Sequence, residues 1–418
     1  MVFRLLYRSM SLLPMPAGFL LLPDASDRSF ARLQRKVRLL ALRRLLSHPL
    51  DGLPAPLGAA LANLRRILVP MARRRTGALL STIALPDVIA RLLVLERGLG
   101  AADALLAGAA TDLIAALPPS ALSEAILWEH PVPAIAAPTR GVAVSFTPAA
   151  TAMLADPSGV SFALANGQKW ALGAPPPPGV TVTAAYHRLH PQLARLHLAT
   201  VDTNPLSMDE EHPDKSGNAI DLGGRPVADW TAALGEALAL IAQTLPEWWQ
   251  ELSVSAERLI PVGYAPEMHL SASYQEAPGV AYLTLHPSVL TLAEAVIHEI
   301  QHSRLNTLMW LDPTLENGRS TWTRSPVRPD LRPLSGVLLA VHAFTPVAAM
   351  HQRMMAMNHP LAEGPHFQRR RREVWENNDR GLAVLLEQGR PTKVGQRLLK
   401  DMQRLHQETC EQSDQLTQ

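Results

Sequence analysis

The sequence predicts a mostly helical α+β protein: a helical N-terminal region over residues 1–135, then a mixed region over 136–418 with a small sheet and a central helix carrying His298-Glu299-Ile300-Gln301-His302. Three observations predict it. Apolar residues recur at helical spacing through the first 116 residues, short β-branched runs bounded by turn residues begin only near residue 140, and helical spacing returns at 230–252 and again from residue 291. The composition agrees, since aromatics are 5% of the chain while Ala, Leu and the 36 prolines are abundant, as in helices joined by proline-punctuated loops.

The first helix expected spans 27–47, with Arg32, Arg35, Lys36, Arg38, Arg43 and Arg44 on one side and leucines on the other. Such a face is either solvated or a docking surface for an acidic peptide. Helical patterns follow at 57–69, 78–98 and 100–116, and Pro118-Pro119 with the loop Pro131–Pro138 closes the region. Strands are expected at 141–147, 180–186 and 196–201, with the run Pro175–Pro178 as a stiff linker. Residues 202–226 read as a long polar loop, and Trp230–Leu252 as one helix. Two strands at 257–264 and 279–285 precede the motif helix at 291–310. A loop over 312–335, an apolar helix over 336–357, the basic stretch Arg369–Arg372 and helices to about 408 complete the chain.

Several function classes are disfavoured at once. A formal charge of +2 gives no global electrostatic case for nucleic-acid binding. The single cysteine, Cys410, forms no intrachain disulfide and no cysteine-rich metal cluster, which suits a reducing cytoplasm. The segment Met1–Pro23 carries Arg4 and Arg8 before an apolar run, but Pro14 and Pro16 break that run, so it reads as a buried or loosely attached segment rather than a signal peptide. No stretch long enough to span a membrane is free of charge and proline, so no membrane partner is expected.

The motif carries the chemistry. Residues four apart on a helix share a face, so His298 and His302 aim two imidazoles at one point, with Glu299 offset to its edge. Thr291 and Glu294 read as a Thr-x-x-Glu capping box, and Ala295, Leu305 and Met309 continue the histidine face with apolar groups. Two imidazoles at this spacing suit a divalent transition metal, which usually takes a third protein ligand. His342 is the candidate, because it interrupts the apolar run Val337–Met350 where a histidine needs a reason. Glu316, Glu363 and Glu373 are the carboxylate rivals, giving either a zinc site or a two-histidine, one-carboxylate iron site. The generic reading of the motif is a zinc peptidase in which Glu299 takes a proton from zinc-bound water. No glycine and histidine follow His302 at the metzincin spacing.

The surroundings narrow this reading. The run Pro278–Leu285, then Thr291–Ala295 and His298–Asn306, and later Asp330-Leu331-Arg332-Pro333-Leu334-Ser335-Gly336 leading into 337–348, together resemble the HExxH-motif peptide-modification proteins of ribosomal natural-product pathways. The resemblance covers about 278–350 strongly and the N-terminal half weakly, and Phe344 is a departure where some relatives are expected to carry histidine. It implies an iron(II) and 2-oxoglutarate-dependent β-hydroxylase acting on a precursor peptide. It further implies that His298, His302 and His342 hold the iron, that Arg332 or else Arg328 grips the far carboxylate of 2-oxoglutarate, and that Glu299 orients a ligand or water. A third possibility is a peptide-binding protein without catalysis.

Overall fold

The computed structural model describes residues 18–24, 27–209, 217–324 and 330–415, with side chains described to 409. Most of Met1–Pro23, part of the 202–226 loop, Arg328 and the side chain of Cys410 therefore lie outside the described residues. The described protein is 52% helix and 17% strand, with eleven α-helices and only small sheets, which is the mostly helical α+β class expected.

The chain forms two compact units. Of the described residues, the first comprises 35–187, 197–209 and 217–220, and the second 18–24, 27–34, 188–196, 221–324 and 330–415. The change of texture near residue 140 thus falls inside the first unit rather than between two.

The first unit holds most of α1 (Ser29–Ser47), then α2 (Ala55–Arg74), α3 (Thr76–Ile83), α4 (Pro86–Glu96) and α5 (Ala102–Ala116). Strands follow: β1 (Ile126–Trp128), β2 (Val132–Ala137), β3 (Val142–Ala150), β4 (Ala152–Asp156), β5 (Gly159–Ala163), β6 (Lys169–Ala171), β7 (Val180–Ala184), β8 (Tyr186–Arg188) and β9 (His197–Ala199). Two antiparallel sheets, ordered β1-β4-β5-β6 and β2-β3-β7, meet through Phe146, Phe162 and Trp170, whose ring centroids lie 4.7 to 6.0 Å apart. The segment expected as a Pro131–Pro138 loop is β2, an edge strand where Pro133 withholds no hydrogen bond from a central ladder. On α1, Arg43 and Arg44 pair with Glu96 and Lys36 is buried, so the basic side of that helix is only partly solvated.

Two helices expected as continuous are each broken by proline. Residues 78–98 form α3 and α4, bent by 82° with Pro86 opening the second. Residues 230–252 fall in α6 (Val227–Thr244) and α7 (Pro246–Ser255), separated at Leu245. The proline ring excludes its predecessor from helical geometry, and Leu85 and Leu245 are both non-helical, at ψ 132° and 63°.

The second unit contains α6, α7, β10 (Arg258–Tyr264), β11 (Ser271–Ala272), β12 (Val280–Leu285) and α8 (Val289–Met309). After α8 come β13 (Trp322–Arg324), β14 (Leu331–Pro333), α9 (Leu334–Ala356), α10 (Pro365–Gln388) and α11 (Lys393–Gln415). Strand β12 runs parallel to β10 and antiparallel to β11, and all six of its residues are buried. Its start depends on Gly279, which has φ 84° and whose added Cβ would lie 2.9 Å from Glu257 Cγ and 3.0 Å from the Ser255 carbonyl oxygen. Gly279→Ala is expected to cost ~1–3 kcal/mol in denaturant unfolding from the left-handed backbone alone.

Helix α8 is buried on nearly every side. Within the second unit, Gln301 donates to the Leu20 carbonyl at 2.9 Å and accepts from the Trp248 indole at 2.9 Å, while Arg304 pairs with Glu251 at 2.7 Å. Phe19, Leu20 and Leu21 are buried, so the described end of the N-terminal segment belongs to a core. Among the described residues, α9 is long and apolar enough to cross a membrane, as the bent pair α3 and α4 is when taken together, but 72% of the apolar window of α9 is buried, as in a core helix.

Candidate metal centre

Helix α8 begins one turn earlier than the motif suggests. Ser288 is its N-cap and accepts from the Thr291 backbone N–H at 3.2 Å. The expected Thr291–Glu294 capping box is therefore not formed, and Glu294 is released for a different task.

His298 and His302 stand on one face with ring centroids 4.3 Å apart, nearly perpendicular at 80°. One ligand atom each from His298, Glu299 and His302 lies within 4.8 Å of the others. Both imidazole rings keep an accessible edge, whereas Glu299 is buried. The Glu299 carboxylate is divided: Oε1 accepts from the Ser271 hydroxyl on β11 at 2.6 Å, and Oε2 is buried without a hydrogen-bond partner. The Nδ1 atoms of both histidines are likewise buried and unpartnered. Buried polar groups are nearly always satisfied, so three orphaned atoms on three adjoining residues mark a site that a further species completes.

Burial keeps protons off both rings. Burial lowers the His298 pKa well below its ordinary value, and the nearby charges of His302, Arg370 and His269 press it further. Burial also lowers that of His302, with Glu299 opposing in part. Both rings are neutral at neutral pH and keep a lone pair for coordination. Two nitrogens and one carboxylate oxygen suit zinc or ferrous iron alike, and the orphaned atoms fit either ion.

The other expected site residues are placed as follows. His342, on α9, is fully buried. Burial, Arg304 and His302 together push its pKa down to about 3, although the Leu20 carbonyl opposes them. Its ring is not among the atoms gathered within 4.8 Å. Glu316, Glu363 and Glu373 are exposed and also stand outside that group. Arg332, on β14, donates to Asp330 at 2.9 Å.

Two features went unread in the sequence. Phe344 packs on His298 with centroids 4.4 Å apart. Glu294, one turn before His298 on the same stripe of α8, joins three helices: its Oε1 meets His351 Nε2 of α9 at 2.8 Å, and its Oε2 meets Arg370 of α10 at 2.8 Å. The i, i+4, i+8 series Glu294, His298, His302 was visible in the sequence, but the partners from α9 and α10 were not.

No protein-family profile matches the chain, and no curated protein matches it.

Proposed function

We propose that the protein is an iron(II) and 2-oxoglutarate-dependent hydroxylase acting on the β-carbon of a residue in a ribosomally made precursor peptide. The observation that carries this reading is the grouping of His298, Glu299 and His302 around unsatisfied buried atoms. The likeness of residues 278–350 to the HExxH peptide-modification proteins supplies the reaction type. Bound iron would supply oxygen activation coupled to decarboxylation of the keto acid. The balance is one peptide C–H, one dioxygen and one 2-oxoglutarate giving one C–OH, one succinate and one carbon dioxide.

The chain's own residues have definite tasks in this reading. His298 and His302 bind the ion, and His342 is the proposed third ligand from the adjoining helix α9. Ser271 fixes one oxygen of Glu299, so the other is presented to the ion or to a water beside it. Arg332 is the far-carboxylate anchor by resemblance, and Arg370 is a rival by geometry.

A zinc peptidase is the second reading, and the unpartnered Glu299 Oε2 favours it, since a water-activating base needs a free carboxylate oxygen near the metal. Metal analysis after anaerobic reconstitution, followed by reaction with any short precursor peptide encoded nearby, separates the readings. The hydroxylase releases succinate and leaves the peptide heavier by one oxygen atom. A shortened peptide without succinate identifies the peptidase, and an unchanged peptide with succinate absent identifies a binding protein.

A further inference from the structure

The arginine that holds Glu294 lies one helical turn from His298. Glu294 precedes His298 by one helical turn on the same face of α8, so whatever grips Glu294 lies beside the centre. Arg370 grips it, and its guanidinium carbon also lies 5.7 Å from the centroid of Phe344, the ring that packs on His298. Two independent contacts thus bring this guanidinium to the rim of the site.

Its orientation is fixed on one edge only. Nε and Nη2 both turn toward Glu294 Oε2 at 2.8 Å, and His351, fully buried, holds the other Glu294 oxygen. Among the described residues the opposite edge, Nη1 with the second N–H of Nη2, has one partner, Glu373 at 3.2 Å. Glu373 is 59% exposed, so water competes for it and another carboxylate displaces it at little cost. Arg370 begins from a run of four arginines, 369–372, so the neighbourhood stays cationic when Glu373 swings away.

We propose that the outer edge of Arg370 is a carboxylate-binding site that anchors the far carboxylate of a small keto diacid chelating the ion, with Phe344 flooring its aliphatic stem. Arg332 instead donates to the half-exposed Asp330 beside it at 2.9 Å. Glu294 and His351 are positioning residues for Arg370. The inference rests on the metal reading of His298, Glu299 and His302.

The test is equilibrium binding to the full-length protein loaded with zinc, a redox-inert stand-in, by titration calorimetry. Two probes are compared: 2-oxoglutarate, and 2-oxobutyrate, which has the same chelating head and no far carboxylate. The wild type is expected to prefer 2-oxoglutarate by about 10- to 100-fold, the range of a charge-assisted hydrogen-bond pair. Arg370→Gln should abolish the preference while leaving 2-oxobutyrate affinity within about 2-fold, and Arg370→Lys should restore part of it. A purely structural role would weaken both probes together. A preference that survives in Arg370→Gln, or disappears in Arg332→Gln instead, overturns the proposal. Should the Arg370 variants not fold, phenylglyoxal labelling of the wild type decides: 2-oxoglutarate must shield Arg370 and 2-oxobutyrate must not, and equal labelling overturns the proposal. Zinc that fails to load in the wild type defeats the metal reading itself, which is a separate and visible failure.

Discussion

Replacing His298 or His302 by alanine is expected to remove the bound ion while leaving the fold intact. Loss of an outer partner of a metal ligand costs ~10–100-fold in affinity, and loss of a ligand from so small a donor set should exceed that. The metal-free variants should keep the helical circular dichroism of the wild type, because each substitution removes a ring whose Nδ1 is buried and unpartnered rather than one that ties elements together. Added metal separates them clearly. An ion present at a hundred times its dissociation constant stabilises the folded state by ~2.7 kcal/mol, so the wild type should melt at a higher temperature with metal, and the two variants should not respond. An equal rise in all three proteins would mean that the ion binds elsewhere.

Glu294→Gln is expected to have the largest effect on stability. Burial opposes the charge of Glu294, but the hydrogen bonds and charges of His351 and Arg370 outweigh burial and hold its pKa down to about 2, from 4.5. A depressed carboxyl pKa stabilises the folded state at pH above the unfolded value, and that contribution fades as pH falls through the folded value. The difference corresponds to roughly 3 kcal/mol at neutral pH by the linkage relation, the same order as breaking a buried ion pair. Urea unfolding of metal-free protein should therefore show a gap of that order between wild type and Glu294→Gln at pH 7, narrowing between about pH 4.5 and pH 2. A gap that stayed constant through this window would show that the ionised carboxylate contributes nothing.

What was legible in the sequence divides along a physical line. The motif helix was legible because its helical spacing and the pair His298 and His302 are local properties of one segment. The all-buried strand β12 was legible for the same reason, as a short apolar run opened by Gly279. Glu294 was misread because a Thr-x-x-Glu pattern at a helix start has a local meaning, whereas its actual partners lie 57 and 76 residues away on other helices. The breaks at Leu85 and Leu245 were readable in principle, since each precedes a proline, but continuous apolar spacing on both sides concealed them. Strand β2 escaped because its prolines suit an edge strand as well as a loop. For the site itself, Ser271 and Phe344 reach the centre from β11 and α9; nothing in its own segment marks Ser271, and Phe344 stood out only as a departure from the resemblance, not as a neighbour of His298.

The most direct measurement is an anomalous-difference map from crystals of the protein grown with ferrous iron under anaerobic conditions. The account predicts one strong peak flanked by nitrogens of His298 and His302, with a Glu299 oxygen facing it. A map without density there, or with the iron bound only at other residues, would contradict it.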